Sequence, residues 1–124
     1  MNDRETTLAE LKALVKKFKA DRNWQKFHKP KNLSMSIAIE AAEMMEHYQW
    51  GDKEINEQEI KMELADIIFY CLSFADVLNI DISNEFEKKL EHNSKKYPVE
   101  LFNKNRKGSI DYYRIKNEYR AKKK

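Results

Sequence analysis

Two pairs of carboxylates stand at helical spacing within stretches that are otherwise apolar. Glu40 and Glu43 interrupt residues 37–45, and Glu63 and Asp66 border the apolar residues between positions 64 and 68. Carboxylates in such surroundings lose hydration unless a positive charge compensates them. An all-oxygen ligand set suits Mg²⁺ or Mn²⁺, which keep several waters and favour phosphate groups. The pattern therefore indicates metal-assisted attack of water on a phosphoanhydride.

The two pairs can meet if they lie on adjacent antiparallel helices. Each predicted helix carries one polar line, made of Ser36, Glu40, Glu43 and His47 on the first and of Glu59, Glu63, Asp66, Tyr70 and Ser73 on the second. Counted from Lys53 in the short loop between them, Glu43 and Glu63 are each 10 residues away, and Glu40 and Asp66 are each 13. Equal separations give equal depth, about 15 Å for the inner pair at ~1.5 Å per residue. We therefore expect four carboxylates to converge.

Two other interpretations of these acids remain open at this point. The first is a solvated seam, in which the carboxylates pair with the many lysines of the chain. The second is a di-iron carboxylate bundle, which usually needs Glu-x-x-His on two helices. Neither His47 nor His92 has a glutamate three residues before it, which disfavours iron. His47 itself lies one turn beyond Glu43, where a surface position near a helix end is the commoner role.

Four helices are predicted to position these residues. A capping box of Thr7 and Glu10 starts the first, which covers residues 7–20. An aromatic and basic loop follows over residues 21–32. The second helix is capped by Asn32 or Ser34 and runs to about Trp50, the third covers residues 56–78, and the fourth ends near residue 97. Residues 99–124 are either a short packing helix or a partly disordered tail.

Composition agrees with one small helical domain. The 124 residues are 41% hydrophobic and 36% charged, with only 2 Gly and 2 Pro, which leaves little turn chemistry for a β fold. The lone Cys71 excludes an internal disulfide framework and a cysteine zinc site. The net charge of +3 comes largely from the C-terminal end and is weak support for nucleic-acid binding, so no nucleic-acid partner is expected.

Location and assembly follow from the apolar pattern. The first residues lack an apolar signal region, and no segment reaches the ~18 uninterrupted apolar residues of a membrane span. We therefore expect a cytoplasmic protein without a membrane partner. The third helix is apolar at nearly every position from Leu64 to Leu78, so it needs cover on most sides. A homo-oligomer would supply that cover.

These motifs together resemble the MazG-like, all-α nucleoside triphosphate pyrophosphohydrolases, especially the small subgroup that includes dCTP pyrophosphatases. The resemblance covers about residues 20–100. It rests on three blocks: residues 24–33 with their Trp, Phe-His, Pro and Asn-Leu; Glu40-x-x-Glu43 with Trp50 and Glu63-x-x-Asp66 with Tyr70; and Lys88, Asn93, Lys96, Tyr97 and Pro98.

The resemblance implies a MazG fold resembling a four-helix bundle over residues 1–104, with a basic C-terminal extension over residues 105–124, assembled as a homodimer or homotetramer. It implies an enzyme that cleaves nucleoside triphosphates, including dCTP-like deoxynucleotides, to monophosphate and pyrophosphate in nucleotide-pool sanitation. Mg²⁺ would be bound by Glu40, Glu43, Glu63 and Asp66. Glu43 or Glu46 would orient or deprotonate the water.

Several further residues are candidates for binding the nucleotide. The full set is Trp24, Phe27, His28, Lys31, Trp50, Tyr70, Asn93, Lys96 and Tyr97. Tryptophans commonly stack on bases but more often pack in cores or interfaces, and single lysines are usually solvated. The rival function is a non-enzymatic helical interaction module. It predicts no stabilisation by Mg²⁺ and no loss of function on Glu40→Gln.

Overall fold

The computed structural model describes residues 1–53, 56–102 and 108–123, without the side chains of residues 108–111. Within these ranges the chain is helical and has no strand, as predicted. The helices are α1 (Leu8–Asp21), α2 (Pro30–Glu46), α3 (Glu57–Val77), α4 (Ile82–Lys96) and α5 (Gly108–Lys122), with a 3₁₀ turn at Val99–Phe102. None of these helices combines the length and apolar character needed to cross a bilayer.

The chain forms two compact units, Met1–Ile82 and Ser83–Lys124. In the first, α3 packs against both α2 and α1. In the second, α5 packs near the 3₁₀ turn, and the ring of Tyr112 stacks on that of Tyr97 with centroids 5.3 Å apart. Residues 99–124 thus contain a packed helix. The predicted domain boundary at residue 104 lies outside the described residues.

Both ends of α1 are closed by hydrogen bonds that the sequence encodes. The predicted capping box is present: Glu10 N donates to Thr7 Oγ1 over 3.1 Å, and Thr7 N donates to Glu10 Oε2 over 2.6 Å. At the other end Asn23 has φ 55°, in the left-handed region. The amide of Trp24 then donates to the Lys19 carbonyl over 3.0 Å, the reversal that typically ends helices. This turn fixes the position of Trp24 relative to the end of α1.

The predicted ends of α2 were wrong at both sides. Pro30 begins the helix at its first position, where a proline ring supplies a suitable φ and needs no N–H partner. The sequence predicts a loop through residue 32 and a cap at Asn32 or Ser34, so the helix starts earlier than predicted. Instead the Asn32 amide donates to the Phe27 carbonyl over 2.9 Å and ties the preceding loop to α2. The helix ends at Glu46, four residues before Trp50.

Helix α3 begins as predicted. The side chain of Asn56 accepts hydrogen bonds from the amides of Gln58 and Glu59 over 3.0 and 3.3 Å. Its far end closes through Asn79, with φ 54°, and a bond from the Ile80 amide to the Ala75 carbonyl over 2.8 Å. The C-terminal ends of α1 and α3 are therefore each followed by an asparagine in the left-handed region.

The core of the described chain is small. Its buried apolar side chains are Val15, Leu33, Leu72 and Ala75, all in the first unit. Many larger apolar side chains stay exposed on the same helices, among them Leu14, Ile39, Leu64 and Ile68. A domain of this length usually buries well over half of the surface of its unfolded chain. The helices of the first unit therefore present apolar faces that the chain itself does not cover.

The asparagine turns allow a matched test of how Trp24 is positioned. Asn23→Ala should lower the free energy of unfolding by about 1 kcal/mol, because alanine is less tolerant of the left-handed region. It should also change the fluorescence of Trp24, measured with Trp50→Phe as background. Asn79→Ala should cost a similar free energy and leave that fluorescence unchanged. Equal spectra for both variants would contradict the assigned role of the turn.

Candidate functional site

Three carboxylates of α2 and α3 converge. Glu40, Glu43 and Glu63 each offer an oxygen, and the three oxygens lie within 4.8 Å of one another. Glu40 Oε2 is buried and has no hydrogen-bond partner among the described residues. A buried carboxylate oxygen without a donor is costly unless a cation faces it. The described residues thus contain an acidic cluster that fits a metal ion, and its all-oxygen donors suit a hard divalent cation.

The charges of the cluster act on one another. Burial, helped by the neighbouring carboxylates of Glu43, Asp66 and Glu63, raises the pKa of Glu40 to about 7. Burial likewise raises the pKa of the Tyr70 hydroxyl, with added contributions from Glu40 and Asp66. Asp66 is exposed and is not one of the three converging acids, but its charge reaches Glu40. Without a cation, Glu40 therefore stays protonated up to its raised pKa of about 7.

His47 contacts the acidic cluster through Glu63. Its Nε2 lies 3.6 Å from Glu63 Oε1, and its side chain is only 13% exposed. The surface position favoured from the sequence is therefore wrong. Its Nδ1 is also buried and has no hydrogen-bond partner within the described part of the chain. The placement one turn beyond Glu43 on the polar line was the signal that could have identified it.

An aromatic cavity opens beside Asp66. Its volume is about 460 Å³, within the range of small-molecule sites. The lining residues come from α1, the turn after it and α3: Leu14, Val15, Phe18, Trp24, Asp66, Phe69 and Tyr70. The Phe18 ring meets Trp24 and Phe69 edge to face, with centroids 5.6 and 5.7 Å apart. The cavity is thus an aromatic pocket with one exposed acid, Asp66, among its lining residues.

The cavity contains some of the predicted binding residues and some that sequence reasoning missed. Trp24 and Tyr70 are predicted residues that line it, and His28 stacks on Trp24 with centroids 6.1 Å apart. Phe18 and Phe69 were missed, because an aromatic residue on an amphipathic helix is usually core. The signal for Phe18 was its position six residues before Trp24, across the end of α1.

The remaining predicted binding residues are not among those that line this cavity. Trp50 is 87% exposed and lines a second concavity of about 310 Å³ with Glu46, His47 and Gln49. Phe27 and Lys31 are exposed. Asn93, Lys96 and Tyr97 belong to the second unit, where the Lys96 ammonium lies 3.9 Å from the centroid of the Tyr119 ring.

The raised pKa of Glu40 predicts a pH-dependent response to cations. The folded protein keeps this proton up to about pH 7, whereas an ordinary glutamate loses it near 4.5. The contribution of Glu40 to the free energy of unfolding should therefore fall as pH rises from about 4.5 to about 7. An added divalent cation should reverse the loss, because it binds the deprotonated cluster.

The measurement is the thermal midpoint with and without MgCl₂ across this pH range. The increase on adding cation should grow with pH in the parent protein and be strongly reduced in Glu40→Gln. Without cation, Glu40→Gln should also lose less stability than the parent as pH rises. A cation response that is the same at both ends of the range would contradict this account.

The fold and the carboxylate cluster define a class of protein. It is an all-α protein with an acidic site that could hold a metal ion between two neighbouring helices. The sequence profile of the MazG-like family matches residues 35–118, more than half of the chain. The chain belongs to the MazG-like family.

Similar proteins extend this finding. Over 106 residues the chain is 32% identical to dCTP pyrophosphatase 1 of Bos taurus, covering 78% of this chain and 63% of that protein. The corresponding protein of Rattus norvegicus is 31% identical, with 78% and 62% covered. The chain thus spans less than two thirds of these relatives. The crystal structure of a pyrophosphatase from Archaeoglobus fulgidus superposes with a TM-score of 0.70 at 33% identity, covering 79% of this chain and 98% of that one.

Proposed function

We propose that this chain is a metal-dependent nucleoside triphosphate pyrophosphohydrolase. It would cleave deoxynucleoside triphosphates, dCTP-like ones included, to the monophosphate and pyrophosphate in the nucleotide pool of the cytoplasm. The observation that carries the proposal is the convergence of Glu40, Glu43 and Glu63 around a buried oxygen without a donor, next to an aromatic cavity. The dCTP pyrophosphatase activity in the names of its relatives supports the same reaction.

Glu40, Glu43, Glu63 and Asp66 are the proposed ligands of Mg²⁺, with Mn²⁺ as the alternative. The bound ion would polarise the phosphoanhydride and lower the pKa of a water molecule. Asp66 completes the set because its charge acts on Glu40 and its side chain borders the cavity. For orienting the water, Glu43 and Glu46 are the two candidates. Glu43 belongs to the converging group, and Glu46 lies one turn further along α2 in the concavity with Trp50.

The aromatic cavity is the proposed nucleobase site. Trp24 and Tyr70 offer ring faces and edges to a base, and His28 adds a polar group beside them. Phe27 and Trp50 are proposed as additional stacking residues; their exposure leaves their rings accessible to a ligand. Lys31 is proposed to contact the sugar or the phosphates. Asn93, Lys96 and Tyr97, in the second unit, stay predictions from the family resemblance.

We also propose that a second copy of this chain covers the apolar faces of α1 and α3. A groove of about 420 Å³ runs between these helices and is lined by Leu11, Leu14, Val15, Lys61, Leu64, Ala65, Ile68, Phe69 and Leu72. An apolar surface of this kind marks an association site. The apolar run in α3 predicts a homo-oligomer from the sequence, and the family resemblance implies a homodimer or homotetramer.

The decisive experiment is turnover of a panel of dNTPs and NTPs with Mg²⁺, resolving monophosphate plus pyrophosphate from diphosphate plus phosphate. Metal-dependent release of monophosphate and pyrophosphate is expected, and the panel ranks the bases. No turnover of any nucleotide, together with no thermal shift on adding Mg²⁺, would refute the enzyme and favour the helical interaction module.

A further inference from the structure

A hydrogen-bonded chain of three side chains, two buried and one half-buried, lies next to the aromatic cavity. Lys19 of α1 is 3% exposed, and Ser73 of α3 is 0% exposed. The Lys19 ammonium donates to Ser73 Oγ over 2.6 Å, and Ser73 Oγ lies 3.2 Å from His28 Nδ1. Lysine is among the residues that are hardly ever fully buried without a partner. The burial of the Lys19 ammonium therefore depends on the polar partners that it meets in this small core.

The donors and acceptors of these three side chains favour one arrangement. An ammonium only donates, so Ser73 Oγ accepts from Lys19. The serine oxygen could accept a second hydrogen bond, but its own buried proton would then have no acceptor among the described residues. Donation from Ser73 Oγ to His28 Nδ1 satisfies that proton. His28 Nδ1 is then the acceptor, and the ring proton of neutral His28 must be on Nε2.

The charges around the chain agree with this arrangement. Burial, followed by the nearby Lys19 charge, lowers the pKa of His28 and keeps the imidazole neutral. Burial also lowers the pKa of Lys19, and Lys16 adds to this, but the Asp76 carboxylate opposes it and favours the ammonium. The Asp76 charge thus favours the form of Lys19 that donates to Ser73 Oγ.

His28 connects this chain to the cavity. Its ring stacks on Trp24 and is tilted against Tyr70, with centroids 6.1 and 6.0 Å away, and both partners line the cavity. In an imidazole the two nitrogens lie on different sides of the ring, so Nε2 is directed away from Ser73. The backbone contributes too, because the Trp24 amide is bonded to the carbonyl of the same Lys19.

We propose that Lys19 and Ser73 are positioning residues that hold His28 as its Nε2-protonated tautomer, so that it donates a hydrogen bond to the nucleobase in the aromatic cavity. This inference rests on the proposed function and refines its specificity. A fixed N–H donor favours a base with a carbonyl oxygen or an unprotonated ring nitrogen at that edge. It disfavours a base that presents an amino group there, because two donors would then face each other.

The tautomer can be measured directly in the free protein. Long-range ¹H–¹⁵N correlation spectra of the ¹⁵N-labelled chain distinguish the protonated from the unprotonated ring nitrogen of His28. We expect Nε2 to be protonated in the parent protein and both tautomers to be populated in Ser73→Ala. A parent spectrum with the proton on Nδ1 would overturn the proposal.

Binding of α,β-methylene-dCTP by calorimetry then separates positioning from stability. Ser73→Ala should bind roughly tenfold more weakly, the effect of about 1.4 kcal/mol. It should also lose stability because Lys19 keeps a buried donor without a partner. Replacing both groups, as Lys19→Met with Ser73→Ala, should recover much of the stability, since neither polar partner then remains.

The double variant decides between the two roles. If Lys19 and Ser73 position His28, the recovered stability will leave binding weak and the tautomers mixed. If they only stabilise the fold, binding will return to the parental value, which would overturn the proposal. Ser94→Ala, which removes a hydroxyl bonded within α4, is the control and should bind as the parent does. Absent turnover and absent binding in the parent would refute the proposed function itself, whatever the tautomer.

Discussion

Glu63→Gln is expected to reduce metal-dependent hydrolysis of dCTP by on the order of 10³-fold, the scale on which loss of one preorganised electrostatic group acts in other enzymes. Glutamine keeps the size of the side chain but removes the charge that faces Glu40 and Glu43. It also removes the partner of His47. Steady-state release of pyrophosphate at saturating Mg²⁺ measures the effect, and circular dichroism checks that the helices are retained.

Glu59→Gln is the matched control. Glu59 lies one turn earlier on α3, is exposed and is outside the converging acids. Its replacement should change the rate by less than about twofold, as expected of a surface substitution. Equal losses in both variants would show that the total charge of α3 matters rather than a metal site, and the proposed ligand set would then be wrong.

Ile68→Asp should convert the proposed homo-oligomer to a monomer. Ile68 lines the groove between α1 and α3 and is exposed in the single chain. A carboxylate buried there without a partner costs several kcal/mol, enough to weaken association by roughly a thousandfold. Light scattering coupled to size-exclusion chromatography measures the mass directly.

Met62→Asp provides the comparison for this change. Met62 is an exposed apolar residue of the same helix that does not line the groove. Its replacement should leave the mass of the assembly unchanged. A parent protein that is monomeric at all concentrations would contradict the proposed pairing, and loss of assembly in Met62→Asp alone would place the interface on another face of α3.

Sequence reasoning found the helices where local chemistry determines them. Thr7 with Glu10 and Asn56 fixed the starts of α1 and α3, because cap hydrogen bonds are made within a few residues. The predicted start of α2 was wrong because Pro30 fits either before a helix or at its first position, and only packing decides between the two. The family was recognised from its motifs, and the sequence profile confirms it.

The candidate site was predictable in part, because helical spacing fixes how far each residue lies from the turn between two helices. Counting along two antiparallel helices placed Glu43 and Glu63 at one depth, and their oxygens do converge with that of Glu40. The count could not give the side-chain directions that leave Asp66 among the residues lining the cavity. Nor could it pair Lys19 with Ser73, which are 54 residues apart and meet only through the packing of α1 on α3.

Helix α3 carries Glu63 of the acidic cluster and Tyr70 of the aromatic cavity on one rigid rod. Seven residues separate them, which corresponds to about 10 Å along the axis at ~1.5 Å per residue. In the proposed complex, the phosphates and the base of one nucleotide would both contact this helix. The distance between the two contacts cannot change unless α3 bends. The protein could therefore discriminate among ligands by their length without a conformational change.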